Sequence, residues 1–167
     1  MKTVFISLGS NLGNRKANLK TAYAEIEDKI GQINLKSSFY KTPPWGFHSD
    51  EDFVNSIIQI ETDLELVDLL KELKGIEQEL GRKQKDSSLG YQDRLIDLDI
   101  IDYNGEIYSS DLITVPHERL HLRSFVLFPL HEIAPNWIHP KLKIAIETLK
   151  KPMLNDPSIE KLAHLND

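Results

Sequence analysis

Arg94-Leu95-Ile96-Asp97-Leu98-Asp99-Ile100-Ile101-Asp102 alternates apolar and acidic residues through its middle. A period of two is the signature of a β-strand whose faces meet different surroundings. Ile96, Leu98 and Ile100 share one face and ask for a core. Asp97 and Asp99 share the other, roughly 6.8 Å apart by strand rise. Two parallel carboxylates repel unless a positive group lies near them. Either this is the solvated acidic face of a sheet, or the pair holds a hard divalent cation. Mg²⁺ at phosphate sites takes one or two carboxylates and fills its shell with phosphate and water oxygens. Arg94, just upstream, suits the same phosphates.

The stretch sits in a chain of 167 residues with net charge −6, 40% hydrophobic and 28% charged residues and no cysteine. Length and composition predict one globular domain over residues 1–167, expected as a monomer. The acidic balance argues against nucleic acid and anionic membranes as partners. The absence of cysteine excludes disulfides and thiol chemistry. No apolar run is long enough to span a bilayer and no leader pattern opens the chain, so the cytoplasm is the expected compartment.

Outward from the acidic strand, the elements follow from periodicity. Thr3 to Leu8 is a nearly all-apolar strand. The glycine-containing turn Gly9-Ser10-Asn11-Leu12-Gly13-Asn14 has no phosphate-loop spacing and reads as structural, with Asn14 or Asn11 as N-cap. Leu19, Ala22, Tyr23, Ile26 and Ile30 form a helical stripe closed by Gly31. Ile33 to Lys41 is a second strand, stopped by Thr42-Pro43-Pro44-Trp45-Gly46. After a long connection, Phe53 to Glu61 is a third strand, and Thr62-Asp63-Leu64-Glu65 reads as a capping box for a helix with core residues Leu66, Leu69, Leu70, Leu73, Ile76 and Leu80. A second long loop, 82–93, leads into the acidic strand. Asn104-Gly105 then signals a hairpin, with Glu106 to Tyr108 returning. The order βαββαβ predicts an α+β ferredoxin-like fold: an antiparallel sheet with both helices on one face. C-terminal elements are added: a helix over Phe125 to Leu130, with Pro129 in a first turn, and short helices over Ile144 to Leu149 and Ser158 to Leu165.

Three groups of residues can carry chemistry. Arg82, Lys83, Lys85 and Arg94 outnumber Asp86 and Asp93 in the loop before the acidic pair, on a chain that is otherwise negative. Cations beside a metal pair are what a polyphosphate needs. The plainer reading is a solvated loop whose Arg82 caps a helix. His117, Arg119, His121 and Arg123 form a second basic cluster, suited to phosphate more than to zinc, or simply to the surface. Asn55 offers a donor and an acceptor to a planar heterocycle, and Phe53 and Phe125 are either core residues or stacking faces for it.

Phe39-Tyr40-Lys41-Thr42-Pro43-Pro44-Trp45-Gly46, Phe53-Val54-Asn55, Gly81-Arg82, Arg94-Leu95-Ile96-Asp97-Leu98-Asp99-Ile100, Val115-Pro116-His117 and Arg123-Ser124-Phe125 occur in one order. In this the chain resembles the 6-hydroxymethyl-7,8-dihydropterin pyrophosphokinase family of folate biosynthesis, from about Val4 to Pro135. The resemblance implies transfer of pyrophosphate from ATP to the hydroxymethyl group of 6-hydroxymethyl-7,8-dihydropterin, with AMP released. It implies two Mg²⁺ ions on Asp97 and Asp99, and Arg82 and Arg94 as catalytic arginines. ATP contacts are expected from Glu77, Lys85, Tyr91, Ile100, Ile113, Thr114, His117 and Arg123. Pterin contacts are expected from Thr42, Pro43, Trp45, Phe53, Asn55 and Phe125. The sequence departs from the family pattern at Gln84, Tyr91-Gln92-Asp93, Leu112 and Glu118. The alternative is a regulatory module that binds ligand without turnover. Formation of AMP that depends on Mg²⁺ and the pterin separates the two.

Overall fold

The structure is a computed structural model and describes residues 1–45, 51–81 and 95–162. Its main sheet is built from β1 (Lys2–Ser10), β2 (Gln32–Lys36), β3 (Tyr40–Thr42), β4 (Phe53–Thr62), β5 (Asp97–Tyr103) and β8 (Glu160–Lys161). The ribbon β6 (Tyr108–Ser109) and β7 (Thr114–Val115) stands apart. The helices are α1 (Arg15–Lys29), α2 (Leu66–Glu79), α3 (Ser124–Ile133) and α4 (Ile146–Lys150). The sheet order is β5-β1-β4-β3-β8, with β2 also on β4, and all its pairs are antiparallel. Counting β2 and β3 as one interrupted strand, this is the ferredoxin-like arrangement that the element order predicts. No helix among the described residues is long and apolar enough to cross a membrane.

The alternation of side chains gives the sheet two faces. Val4, Ile6 and Leu8 of β1, Ile58 and Ile60 of β4, and Leu98 and Ile100 of β5 pack under α1 and α2. Helix α1 meets them with Leu19, Ala22, Tyr23 and Ile26, and α2 with Leu66, Leu69, Leu73 and Ile76. The opposite face carries Phe5, Ile57 and Ile101, covered by Leu120, Val126, Leu127, Leu130 and Ile146. That second core covers only part of its face. The remainder is where Asp97 and Asp99 project.

A β-bulge sharpens this division. Phe5 pairs with Asp102 while Ile6 pairs with Ile100, so Ile101 is an extra residue. Ile101 and Asp102 therefore both turn toward α3, and Tyr103 returns to the helix face. Asp102 is buried and accepts from Trp137 Nε1 at 2.8 Å and from Gly105 N at 3.0 Å. Burial holds its carboxyl above the usual range, although both hydrogen bonds pull the other way.

Several elements differ from the sequence reading, each for a local reason. The strand expected over Ile33 to Lys41 breaks at residues 37–39. There the Ser37 hydroxyl accepts the Ile57 N–H at 2.9 Å, and Phe39 buries itself near Tyr23. A serine side chain has displaced a ladder carbonyl. No capping box forms at Thr62. Its hydroxyl donates to Ile30 O at 3.0 Å and accepts from Leu64 N at 3.2 Å, and α2 starts without a side-chain cap. Asn14 does cap α1, accepting from Ala17 N at 3.1 Å.

Asn104 and Gly105 make their tight turn with φ of 53° and 69°, yet the chain does not pair back onto β5. The outer edge of β5 is already taken. Glu77 accepts the Leu98 N–H at 2.9 Å, and the His117 N–H donates to Ile101 O at 2.9 Å. Pro129 lies at the sixth position of α3, not in its first turn. Burial of Leu127 and Leu130 carries the helix through a residue that normally breaks it. Helix α4 begins two residues later than expected. In place of a helix over Ser158 to Leu165, β8 pairs with the open edge of β3, where Leu162 N donates to Phe39 O at 2.8 Å. Residues 163–167 lie outside the described residues.

Gly31 ends α1 for a steric reason. A Cβ there would stand 2.1 Å from the Glu61 carbonyl oxygen. Backbone cannot swing aside as a side chain can. Gly31→Ala should lower stability by about 2–3 kcal/mol, the scale of forced overpacking, read as a fall in the urea midpoint. An unchanged midpoint would mean that the α1–β4 junction has slack.

Candidate active site

Strand register places the site. Gly9 of β1 is opposite Asn55 of β4 on one side and opposite Asp97 of β5 on the other. Ser7 is opposite Ile57 and Asp99. Asp97, Gly9 and Asn55 thus form one row across three strands, and Asp99 and Ser7 start the next. At ordinary strand spacing the row brings Asp97 and Asn55 to about 10 Å between Cα atoms. Gly9 makes the floor flat: a Cβ there would lie 3.0 Å from Asn55 Oδ1 and 3.4 Å from the Phe53 ring. The sequence pattern predicts a turn at Gly9, whereas β1 continues to Ser10.

Over this floor opens a cavity of about 590 Å³. Thr42, Pro43, Trp45, Phe53, Asn55 and Phe125 line it, as do Glu77, Ile100, Ile113, Thr114, His117 and Arg123, together with Asp97 and Asp99. Every sequence-predicted site residue that the structure describes therefore faces one space. Arg82, Lys85, Tyr91 and Arg94 lie outside the described residues.

Individual side chains are held by identifiable contacts. Asn55 is buried and donates through Nδ2 to Thr42 Oγ1 at 2.8 Å, which orients its amide. Arg123 is buried with its guanidinium 4.4 Å from the centre of the Trp45 ring and 5.4 Å from that of Phe125. Cation–π attraction at those distances ties the 42–45 segment to the start of α3. Glu77 closes the edge of β5, as above, from the face of α2 that also presents Leu70 and Lys74 to the cavity.

The basic cluster from His117 to Arg123 divides. His117 and Arg123 line the cavity. His121 turns away, its ring edge-on to His139 at 6.2 Å, with a buried Nδ1 that has no hydrogen-bond partner. The two histidines therefore form no shared metal site, and no cluster of three or more His, Cys, Asp or Glu suited to a metal occurs among the described residues.

His117 Nδ1 accepts the Arg119 N–H at 3.2 Å, which leaves the proton on Nε2. Burial is the main cause that pushes its pKa down to about 4, Arg123 and Arg119 add to this, and Asp97 opposes it. His117 is thus a neutral N–H donor near pH 7.

Counting by twos along β1 places Ser7 and Gly9 on the acidic face, and their small size is the signal for ligand space above them. Lys74 is four residues after Leu70 and three before Glu77, so one helix face holds all three. Leu112 and Glu118, two of the departures from the family pattern, also line the cavity.

The depressed pKa of His117 has a definite sign in stability. From 6.5 down to about 4 the unfolded chain takes up a proton that folded His117 refuses. Its contribution is complete above 6.5 and is lost as the pH falls toward 4, by at most about 3 kcal/mol. Urea unfolding of His117→Asn should show a shallower loss across that window than the parent. Equal slopes would place the proton uptake at other groups, of which His139, also lowered by burial, is the first.

Residues 5–135 match the family model described as 7,8-dihydro-6-hydroxymethylpterin-pyrophosphokinase (HPPK). The chain is 39% identical over 143 residues to the 2-amino-4-hydroxy-6-hydroxymethyldihydropteridine pyrophosphokinase of Porphyromonas gingivalis, covering 84% of this chain and 96% of that one. The protein of the same name from Aquifex aeolicus is 35% identical over 150 residues, covering 90% and 91% of the two chains. Among solved structures, Plasmodium falciparum HPPK-DHPS crystallised with pteroate superposes with a TM-score of 0.79 at 13% identity, covering 96% of this chain and 47% of that one. That likeness is one of fold, and this chain spans about half the length of the solved one. The family match over most of the chain, and relatives this similar along nearly their whole length, establish that the chain belongs to the HPPK family.

Proposed function

We propose that the cavity holds ATP along β5 and the 113–123 segment, and the hydroxymethyl pterin against Phe53, Asn55 and Phe125. As a member of its family the chain is a pyrophosphokinase of folate biosynthesis. The observation that carries the site reading is the register: Asp97 and Asn55 both flank Gly9, so a phosphate end and a heterocycle end adjoin on one floor.

Electrostatics argue for cations. Two carboxylates roughly 6.8 Å apart repel by about 2 kcal/mol at an effective dielectric of 20. Glu77, Asp111 and Glu118 also line the cavity. A triphosphate entering this space adds to the repulsion. Asp97 and Asp99 fit two Mg²⁺ ions: they are hard oxygen donors on one face, few enough to leave coordination positions for phosphate and water. When bound, such ions offset charge along the triphosphate.

The reaction joins the hydroxymethyl oxygen of the pterin to the β-phosphorus of ATP. The bond from that phosphorus to the oxygen shared with the α-phosphorus breaks, AMP leaves with the oxygen, and the hydroxyl proton passes to solvent. The chain's part is largely positioning. Phe53 and Phe125 fix the ring plane and Asn55 its rotation. His117 donates Nε2–H to a phosphate oxygen, and Arg123 adds charge from its seat between Trp45 and Phe125. Arg82 and Arg94 remain protonated and act electrostatically, not as bases.

Asp97→Asn and Asp99→Asn should each lower kcat/KM by about 10³-fold, the loss seen when transition-state charge is left unmet, with a urea midpoint no lower than that of the parent. A variant with wild-type turnover would remove that residue from the metal pair. Phe53→Ala should weaken pterin binding by about 10–100-fold, as loss of one stacking face does, while ATP affinity stays within about twofold. Phe125→Ala should weaken both ligands, because it also frees Arg123. Calorimetric titration of each ligand separates these outcomes, and unchanged pterin affinity in both variants would overturn the clamp.

A further inference from the structure

A second cavity, of about 370 Å³, lies beside Tyr40 of β3. Its walls come from residues that the first reaction does not use: Phe128, His131 and Glu132 from α3, Lys150 at the end of α4, and Ile159 and Lys161 around β8. Phe128, His131 and Glu132 are spaced i, i+3 and i+4 and so form one helix face. Tyr40 contributes its ring.

The charges in this cavity do not balance one another. Glu132 is already occupied. Its Oε1 accepts from Ser38 N and Ser38 Oγ, both at 2.8 Å, and its Oε2 accepts the Tyr40 hydroxyl. Desolvation raises its pKa, but these bonds and nearby Lys161 outweigh that and hold it below the usual carboxylate value. Lys161 approaches Glu132 only to 3.7 Å. Lys150 makes no ion pair among the described residues. Its ammonium lies 4.5 Å from the centre of the Phe128 ring and 3.5 Å from His131 Nδ1. An ammonium has three donors and His131 can take one, so two remain for a ligand. The walls beside these cations are apolar: the rings of Phe128 and Tyr40, and Ile159.

We propose that this cavity is a binding site for a small organic anion, a planar or apolar body carrying one phosphate or carboxylate. The anionic group lies between Lys150 and Lys161, and the body lies against Phe128 and Ile159. The volume is in the range of small-molecule sites. A bare inorganic anion leaves most of the apolar wall uncovered, so the body adds affinity.

The test uses the full chain with Mg²⁺ and a non-hydrolysable ATP analogue filling the first cavity. Phenyl phosphate, benzoate and inorganic phosphate are titrated separately while the His131 ring resonances are followed by NMR. A saturable shift with phenyl phosphate or benzoate is expected, and the tighter of the two assigns the head group. Phenyl phosphate should bind at least fivefold more tightly than inorganic phosphate. The Lys150→Ala/Lys161→Ala double variant should weaken binding at least tenfold and leave pyrophosphoryl transfer at the parent rate. Both lysines are partly or largely exposed, so the variant keeps the core intact. Absence of a saturable shift with both organic anions, or equal affinity in the double variant, overturns the site. Inorganic phosphate binding as tightly as phenyl phosphate overturns the role given to Phe128 and Ile159.

Discussion

The placement of Asp97 and Asp99 on one face of β5 is the constraint around which the site is arranged. One strand holds both carboxylates on one side, and the register with β1 sets them over small residues, Gly9 and Ser7. Among the described residues, the space above is the cavity. A sheet with this acidic floor is stable in water but hostile to a polyphosphate unless cations come with it. The metal requirement proposed for the reaction follows from this acidic floor, and Arg82 and Arg94 precede it in the sequence.

The sheet can support such a site because its two faces do unequal work. The face under α1 and α2 carries the larger continuous core. The other face is covered by α3 and α4 only at the end away from Asp97. The bulge at Ile101 marks the change. Before it, side chains on that face line a cavity; after it, Ile101 and Asp102 enter the second core. Glu77 and the His117 amide occupy hydrogen-bonding groups on the outer edge of β5.

The two ligand ends are also mechanically joined. Trp45 and Phe125 belong to the proposed pterin wall, and Arg123, from the proposed nucleotide wall, lies between them. A cation held by two rings is oriented before any phosphate arrives, which reduces the ordering that binding must supply. His117 is kept neutral by burial and by the same arginine.

Much of this was legible in the residues. The period of two at Ile96 to Ile100 and the 3.6-residue stripes of α1 and α2 identify the elements, because each buries one face against water. The family motifs single out residues that, where the structure describes them, line one cavity. What the sequence alone did not determine was how competing partners for the backbone would be satisfied. Ser37 breaks a strand, Thr62 abandons its capping box for Ile30, and β8 forms where a helix was expected, because β3 presents an open edge. Each outcome depends on a group distant in the chain, and no local propensity carries that information. The same holds for Gly9: its place on the cavity floor follows from the register of three strands, which only the folded sheet defines.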